Sequence, residues 1–264
     1  MQKTSPRLAG GELPSVTELF SSVIQDVGDD LGGYAIAGLG YWLVQIAATM
    51  ILIPVIYAAI IGGMLAGMAG GAGLGGLVGS VAGDPDVGGA VGGIGMILGM
   101  TVGTFVPLFL VILAFTAVIS PLSASLIRAI AAKQRGDEPL TIGSAFSTYT
   151  QDLVKVVGVQ VVLMTLGMLA LMACYFPVFF VGIPFGFAFT LVALHRRGPI
   201  DAVKLSFAHF MAHKKWHLGF WGMGIVAGII GAYVPVIGMT VSLSYFVKVH
   251  RAVFGDDEEP AFEV

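Results

Sequence analysis

Every fourth residue from Gly63 to Gly83 is glycine: Gly63, Gly67, Gly71, Gly75, Gly79 and Gly83. Past Asp84-Pro85-Asp86 the glycines resume at Gly88, Gly92, Gly95, Gly99 and Gly103. Residues four apart share one face of an α-helix, so the pattern predicts helices with a face stripped of side chains. Such faces let two backbones approach closely, as small-xxx-small pairs do inside membranes. The residues between are mainly Ala, Met, Leu, Val and Ile, all compatible with lipid. A tight helical hairpin turning at Asp84–Asp86 is expected. The competing reading is a Gly-rich loop, because glycine costs a helix ~1 kcal/mol against alanine. A random loop would not keep a four-residue period through so many glycines.

The rest of the chain supports a membrane setting. It is 56% hydrophobic and 11% charged, where a soluble domain carries about 25% charged residues. No Asp, Glu, Lys or Arg falls within 31–83, 87–127, 156–194 or 216–247. Each interval exceeds the ~20 residues that cross a bilayer as a helix. A transmembrane barrel would instead alternate in segments of ~10 residues. The expected fold is an all-α polytopic membrane protein. It has about six transmembrane helices in three hairpins, each preceded by an in-plane amphipathic helix. Residues 1–33 form a tail and amphipathic helix, and 34–252 the membrane domain, with hairpins at 41–119, 156–195 and 217–250. Residues 253–264 are an acidic tail carrying Asp256, Asp257, Glu258 and Glu259. The first 33 residues lack the apolar core of a cleavable signal, so the first span is expected to direct insertion.

Local signals place the boundaries. Ser15 and Glu18 suit a capping box after Pro14. Val16, Leu19, Phe20, Val23, Val27 and Leu31 then share one helical face. A helix from Tyr41 to Ala82 would run roughly 63 Å at ~1.5 Å per residue, about twice a ~30 Å hydrocarbon core. It is expected to tilt and break near Pro54 or Gly70-Gly71, or to leave the bilayer. The return helix is expected to end at Ser120-Pro121, then continue as a basic segment to Gly136. A second in-plane helix is expected from Thr141 to Lys155, its apolar side made of Ile142, Ala145, Phe146, Tyr149 and Leu153. Pro177, Gly182 and Pro184 mark the second hairpin's turn. Pro199 suits the first turn of the third in-plane helix. That helix shows an apolar face of Ile200, Val203, Phe207, Phe210 and Met211. Tyr233-Val234-Pro235 closes the last hairpin. Architecturally the three thirds repeat one another.

All 13 Lys and Arg lie in the N-terminal segment, the two long elbows or the C-terminal exit. Positive charge favours the cytoplasmic side. Both termini are therefore expected inside, in a bacterial inner membrane, with the Asp84–Asp86 turn outside. Arg196, Arg197, Lys204, Lys214 and Lys215 form a basic rim, closed by Trp216 at interfacial depth. Topology control accounts for the rim; binding of anionic lipid headgroups is the sharper reading.

Candidate chemistry is sparse. The spans hold no ionisable Asp, Glu, Lys or Arg, the usual mark of transport or proton relay. Gln45, Gln160, Thr49, Thr165 and Ser242 are suited to helix–helix hydrogen bonds. His209, His213 and His217 are spaced i, i+4, i+8. Two of them could share a metal, but the third lies ~12 Å from the first along a helix. An interfacial polar face is expected, with a metal site or a pH-sensitive elbow as alternatives. Asp84 and Asp86 either form a plain turn or an acidic pore mouth. The run Gly-Gly-Ala-Gly-Leu-Gly-Gly lacks the strand and distant acid of a nucleotide site. Cys174, the single cysteine, sits in an apolar run. No nucleophile–base set is visible, so a non-enzymatic role without cofactor is expected. The partners are membrane lipid and further copies of the chain, not nucleic acid.

Residues 184–206 (PFGFAFTLVALHRRGPIDAVKLS) and 235–238 (PVIG) resemble uncharacterised six-span bacterial integral-membrane families. These include the membrane domain fused to some glycerophosphodiester phosphodiesterases. These 264 residues hold no such enzymatic domain, so that activity is not expected to carry over. The 63–83 stripe looks like the glycine zippers of oligomeric membrane proteins and channels, which implies self-association.

Overall fold

The computed structural model describes residues 13–173 and 178–255. Cys174, Pro177 and the acidic run from Asp256 lie outside the described residues. Among the described residues all regular structure is helical: α1 (Val16–Asp29), α2 (Leu31–Ala82), α3 (Pro85–Arg135), α4 (Ile142–Phe146), α5 (Leu153–Ala173), α6 (Val178–Phe185), α7 (Ala188–His195), α8 (Pro199–Ala212), α9 (Lys214–Tyr233) and α10 (Pro235–Phe254). Three stretches are long and apolar enough to cross a membrane: Leu31–Ala82, Pro85–Arg135 and Leu153–Ala170. These three, among the described residues, compare with the six crossings expected.

The chain divides into two compact units, residues 1–44 with 119–264, and residues 45–118. In the first unit, Val23 and Val27 of α1, Tyr34 and Tyr41 of α2, Leu126 and Ile130 of α3, Leu191 of α7 and Tyr245 of α10 are buried together. Lys133 pairs with Asp30, and Lys248 with Asp26, tying α3 and α10 to the α1–α2 corner. The Lys133 ammonium, helped by the Gly33 N–H, holds the Asp30 carboxyl below the usual carboxylate range.

Several local expectations need correction. Ser15 stands at the N-cap of α1, but its hydroxyl bonds Thr17 Oγ1 at 2.8 Å and caps nothing, so the Ser15–Glu18 box does not form. Leu31 is exposed rather than on the packed face. α2 runs unbroken through Pro54 and Gly70-Gly71, and α3 through Pro107 and Ser120-Pro121. The Thr141–Lys155 helix shrinks to five residues, capped by a reciprocal Thr141–Ser144 pair, then a run of turns. Ile142 and Leu153 are exposed there.

Of the expected second turn, Gly182 and Pro184 lie inside α6, while Pro177 is outside the described residues; a break falls at Gly186-Phe187. Ser206 of α8 fills that break: its Oγ accepts from Phe187 N at 3.2 Å and donates to the Pro184 carbonyl at 2.9 Å. These are the orphan groups that a helix interruption leaves. α8 therefore buries its small side, Ala202, Leu205, Ser206 and His209, while Ile200, Phe207 and Met211 point outward. This is the reverse of the face that side-chain size suggested.

The second unit is a two-helix hairpin. Gly83, at φ +66°, starts its turn, and Asp84 Oδ1 accepts from Asp86 N–H at 2.9 Å to cap α3.

Candidate functional site

The hairpin's glycines pair in register within one chain. Gly63 faces Gly103, Gly67 faces Gly99, Gly71 meets Gly95 and Met96, Gly75 faces Gly92, and Gly79 faces Gly88. A Cβ on Gly88 would stand 2.6 Å from Gly79 Cα, and one on Gly99 2.7 Å from the Gly67 carbonyl oxygen. No larger residue fits at that separation. Gly83 is the exception: it serves the turn and meets nothing within 4 Å.

A second set of glycines points away from this seam. Gly62, Gly70, Gly73, Gly76, Gly89 and Gly93 have no neighbour within 4 Å of a built Cβ. Ala72, Gly76, Ser80, Gly89, Gly93 and Met96 line a shallow groove along the hairpin, about 810 Å³ in volume. Along the two helices Met50, Ile51, Leu65, Leu77, Val81, Ile97 and Val102 are all largely exposed.

In the first unit His209, His217 and His250 surround Phe187, and the chain's other two histidines lie one ring further out, His213 against His209 and His195 against His250. The i, i+4, i+8 series is joined by His195 and His250, whose rings lie 4.9 Å apart. His209 Nδ1 and His217 Nε2 are 2.8 Å apart, so one donates and the other accepts, which requires the same tautomer in both rings, and Thr190 Oγ1 lies 2.9 Å from His250 Nδ1. His209 is fully buried against Phe187, Phe254 and Trp216. Burial, reinforced by His217 and His213, pushes its pKa down to about 3. The expected interfacial polar face is thus turned inward: His195, His209, His217 and His250 are buried. Among the described residues no three His, Cys, Asp or Glu converge as a metal set.

The basic rim divides. Lys204, Lys214 and Lys215 are exposed, and Arg197 is half-buried. Trp216 is half-buried, and its Nε1–H donates to the Pro14 carbonyl at 3.0 Å. Arg196 joins a different group, centred on Asp152. Asp152 Oδ2 lies 3.6 Å from Arg196 Nε and 3.7 Å from Arg128 Nη2, and Oδ1 lies 3.5 Å from Lys155 Nζ. Arg128 also donates from Nε to the Ala193 carbonyl at 2.7 Å, and from Nη1 to the Thr148 and Gln151 carbonyls at 3.2 Å each. Sequence reasoning passed over Asp152 and Arg128. Their signal was present: Arg128 is the first charge after a long uncharged run, and Asp152 sits between two apolar helical segments.

No family model, curated protein or solved structure matches this chain.

Proposed function

We propose that this chain is a non-enzymatic integral membrane protein that assembles with copies of itself through the 45–118 hairpin. The assembly is a ring or array that organises or encloses lipid. One observation supports this above the others: the hairpin is longer than one bilayer can cover. Its first arm, residues 45–82, lies within α2 and is ~57 Å long at ~1.5 Å per residue. A hydrocarbon core is ~30 Å thick. Tilted by ~40°, the upper end of the usual range, the arm still rises ~44 Å. No charged residue falls between 31 and 83, and large apolar side chains face outward along the arm. The surplus is an apolar surface that water does not cover cheaply, and another copy of the same hairpin is a cover of matching length.

Gly63, Gly67, Gly71, Gly75 and Gly79 are spent on the intrachain seam, so they do not serve this contact. The outward set, Gly62, Gly70, Gly73 and Gly76, offers close backbone approach instead. In this reading the apolar α6–α7 segment, and α9 and α10 at 20 residues and ~30 Å each, also cross the bilayer, which with α2, α3 and α5 makes six crossings. The Lys and Arg distribution then puts both termini on the cytoplasmic side.

The test counts copies. Full-length chain carrying one fluorophore is reconstituted into liposomes at low density and photobleached. Multiple bleaching steps per spot are expected; single steps throughout would reject the assembly. Currents from the same liposomes, abolished by Asp84→Asn/Asp86→Asn, would favour a passive pore over a lipid-organising array.

A further inference from the structure

A cavity of about 390 Å³ lies in the first unit where α3, α7 and α10 end. Among the described residues its charged lining is Arg128, Arg135, Arg196 and Arg251 against Asp137 and Glu138, with Arg135 Nε donating to Asp137 Oδ2 at 2.6 Å. Four cations face two carboxylates, an excess of two positive charges. Lys155 and Asp152, just behind the wall, add one charge of each sign and leave that excess unchanged.

The arrangement is fixed before any ligand arrives. Arg128 is held by three carbonyls. Arg196 is held at its carbonyl by Lys155 Nζ at 2.9 Å, in a left-handed conformation at φ +53° that few side-chain-bearing residues adopt. Such outliers recur where a site is pre-organised. The cations are guanidiniums, and no lysine lines the cavity. A guanidinium is a planar fork that matches two oxygens of a phosphate, whereas an ammonium is a point charge. The volume falls within the range of small-molecule sites.

We propose that this cavity binds a phosphate oxyanion, carried either by the headgroup of an anionic membrane lipid or by a small soluble phosphate ester. The site stands whether or not the hairpin self-associates.

The experiment uses purified full-length chain in a zwitterionic detergent, read by native mass spectrometry. One arm adds phosphatidylglycerol or phosphatidylcholine; the other adds glycerol 3-phosphate, with ³¹P line-broadening as a second readout. Retention of phosphatidylglycerol over phosphatidylcholine assigns the lipid, and broadening of glycerol 3-phosphate alone assigns the soluble ester. In either case Arg135→Gln/Arg251→Gln should lower binding by about tenfold, the loss expected when a charge-assisted hydrogen bond goes. Arg135→Lys/Arg251→Lys should recover part of it, and Lys214→Gln/Lys215→Gln, outside the cavity, should change nothing. If the double Gln variant does not fold, suppression of wild-type binding by added salt provides the same decision. Binding that ignores the arginines, or is lost equally in the Lys214/Lys215 variant, overturns the proposal. So does binding that appears only after removal of residues 256–264, which would make the chain's own acidic tail the occupant.

Discussion

Asp152 and Arg196 are the two non-glycine residues with left-handed backbone among the described residues, at φ 54° and 53°, and they face each other with Arg196 Nε 3.6 Å from Asp152 Oδ2. The left-handed region costs a side-chain-bearing residue roughly 1–2 kcal/mol. Both residues stand at junctions, one ahead of α5 and one closing α7. Electrostatic attraction among Asp152, Arg128, Lys155 and Arg196 offsets the strain and fixes the two chain reversals together.

Asp152→Asn and Asp152→Ala separate the charge from the backbone. Asparagine tolerates the left-handed region but leaves Arg128, 13% exposed, without its counter-ion. A loss of about 2 kcal/mol is expected, between the ranges for exposed and buried pairs. Alanine removes the charge and also meets the backbone cost, so it should lose about 1 kcal/mol more. Denaturant unfolding in detergent measures both. Equal losses would mean that no strain is stored at this position.

The two sets of glycines predict different failures. Gly67→Leu drives a side chain into the backbone at Gly99 and Met100, and should splay the arms of the hairpin. Gly76→Leu meets nothing within 4 Å in the chain, so the arms should stay together while contact with a second copy is blocked. Spin-label distances between the arms report the first effect and bleaching-step counts the second. Intact assembly in Gly76→Leu, with assembly lost only when the arms separate, would restrict the glycines to a purely intrachain role.

Trp216 links the third elbow to the start of α1 through the Pro14 carbonyl. Trp216→Phe keeps an aromatic ring to stack on Phe220, whose centroid is 5.8 Å away, and removes the N–H. The expected cost is about 1 kcal/mol. Limited proteolysis should show faster cleavage within α1 if this bond anchors it; an unchanged digestion rate would leave Trp216 with packing alone.

What could be read from the chain was local. The long uncharged runs announced apolar helices of spanning length, Pro199 the first turn of α8, and Tyr233-Val234-Pro235 the junction of α9 and α10. What could not be read depends on distant partners. The Thr141–Lys155 segment has a helical pattern, yet Arg128 Nη1 binds the Thr148 and Gln151 carbonyls, and Ser125 Oγ accepts from Thr148 N–H at 3.3 Å. Those backbone groups are diverted from a helical ladder. α8 looked as if it would bury its phenylalanines, but the break at Gly186-Phe187 requires a small hydroxyl, and Ser206 supplies it. His195 and His250 gave no sign of joining the 209–217 series, because the contact crosses 55 positions of sequence (250 less 195). Pro54 suggested a break in α2, but one proline removes one hydrogen bond, and spanning helices tolerate that.

The histidine cluster sets a pH dependence whose direction follows from burial. Unfolded, His209 takes up a proton near its ordinary value of 6.5; folded, it resists protonation until about 3. Its contribution to stability is therefore complete above about pH 6.5 and lost as pH falls toward 3, because the unfolded chain binds the extra proton across that window. One such group gives a slope of up to about 1.4 kcal/mol per pH unit. His213 and His217 face it, and its 2.8 Å contact with His217 also weakens once both rings carry protons. Unfolding free energy measured from pH 8 to pH 4 should fall along this course. In His209→Phe the fall should flatten while the aromatic packing around Phe187 is retained. An unaltered slope in that variant would assign the acid sensitivity to the other buried histidines, His195, His217 and His250; Asp30 does not contribute in this range, because its lowered pKa confines its effect to pH values below its ordinary 3.8.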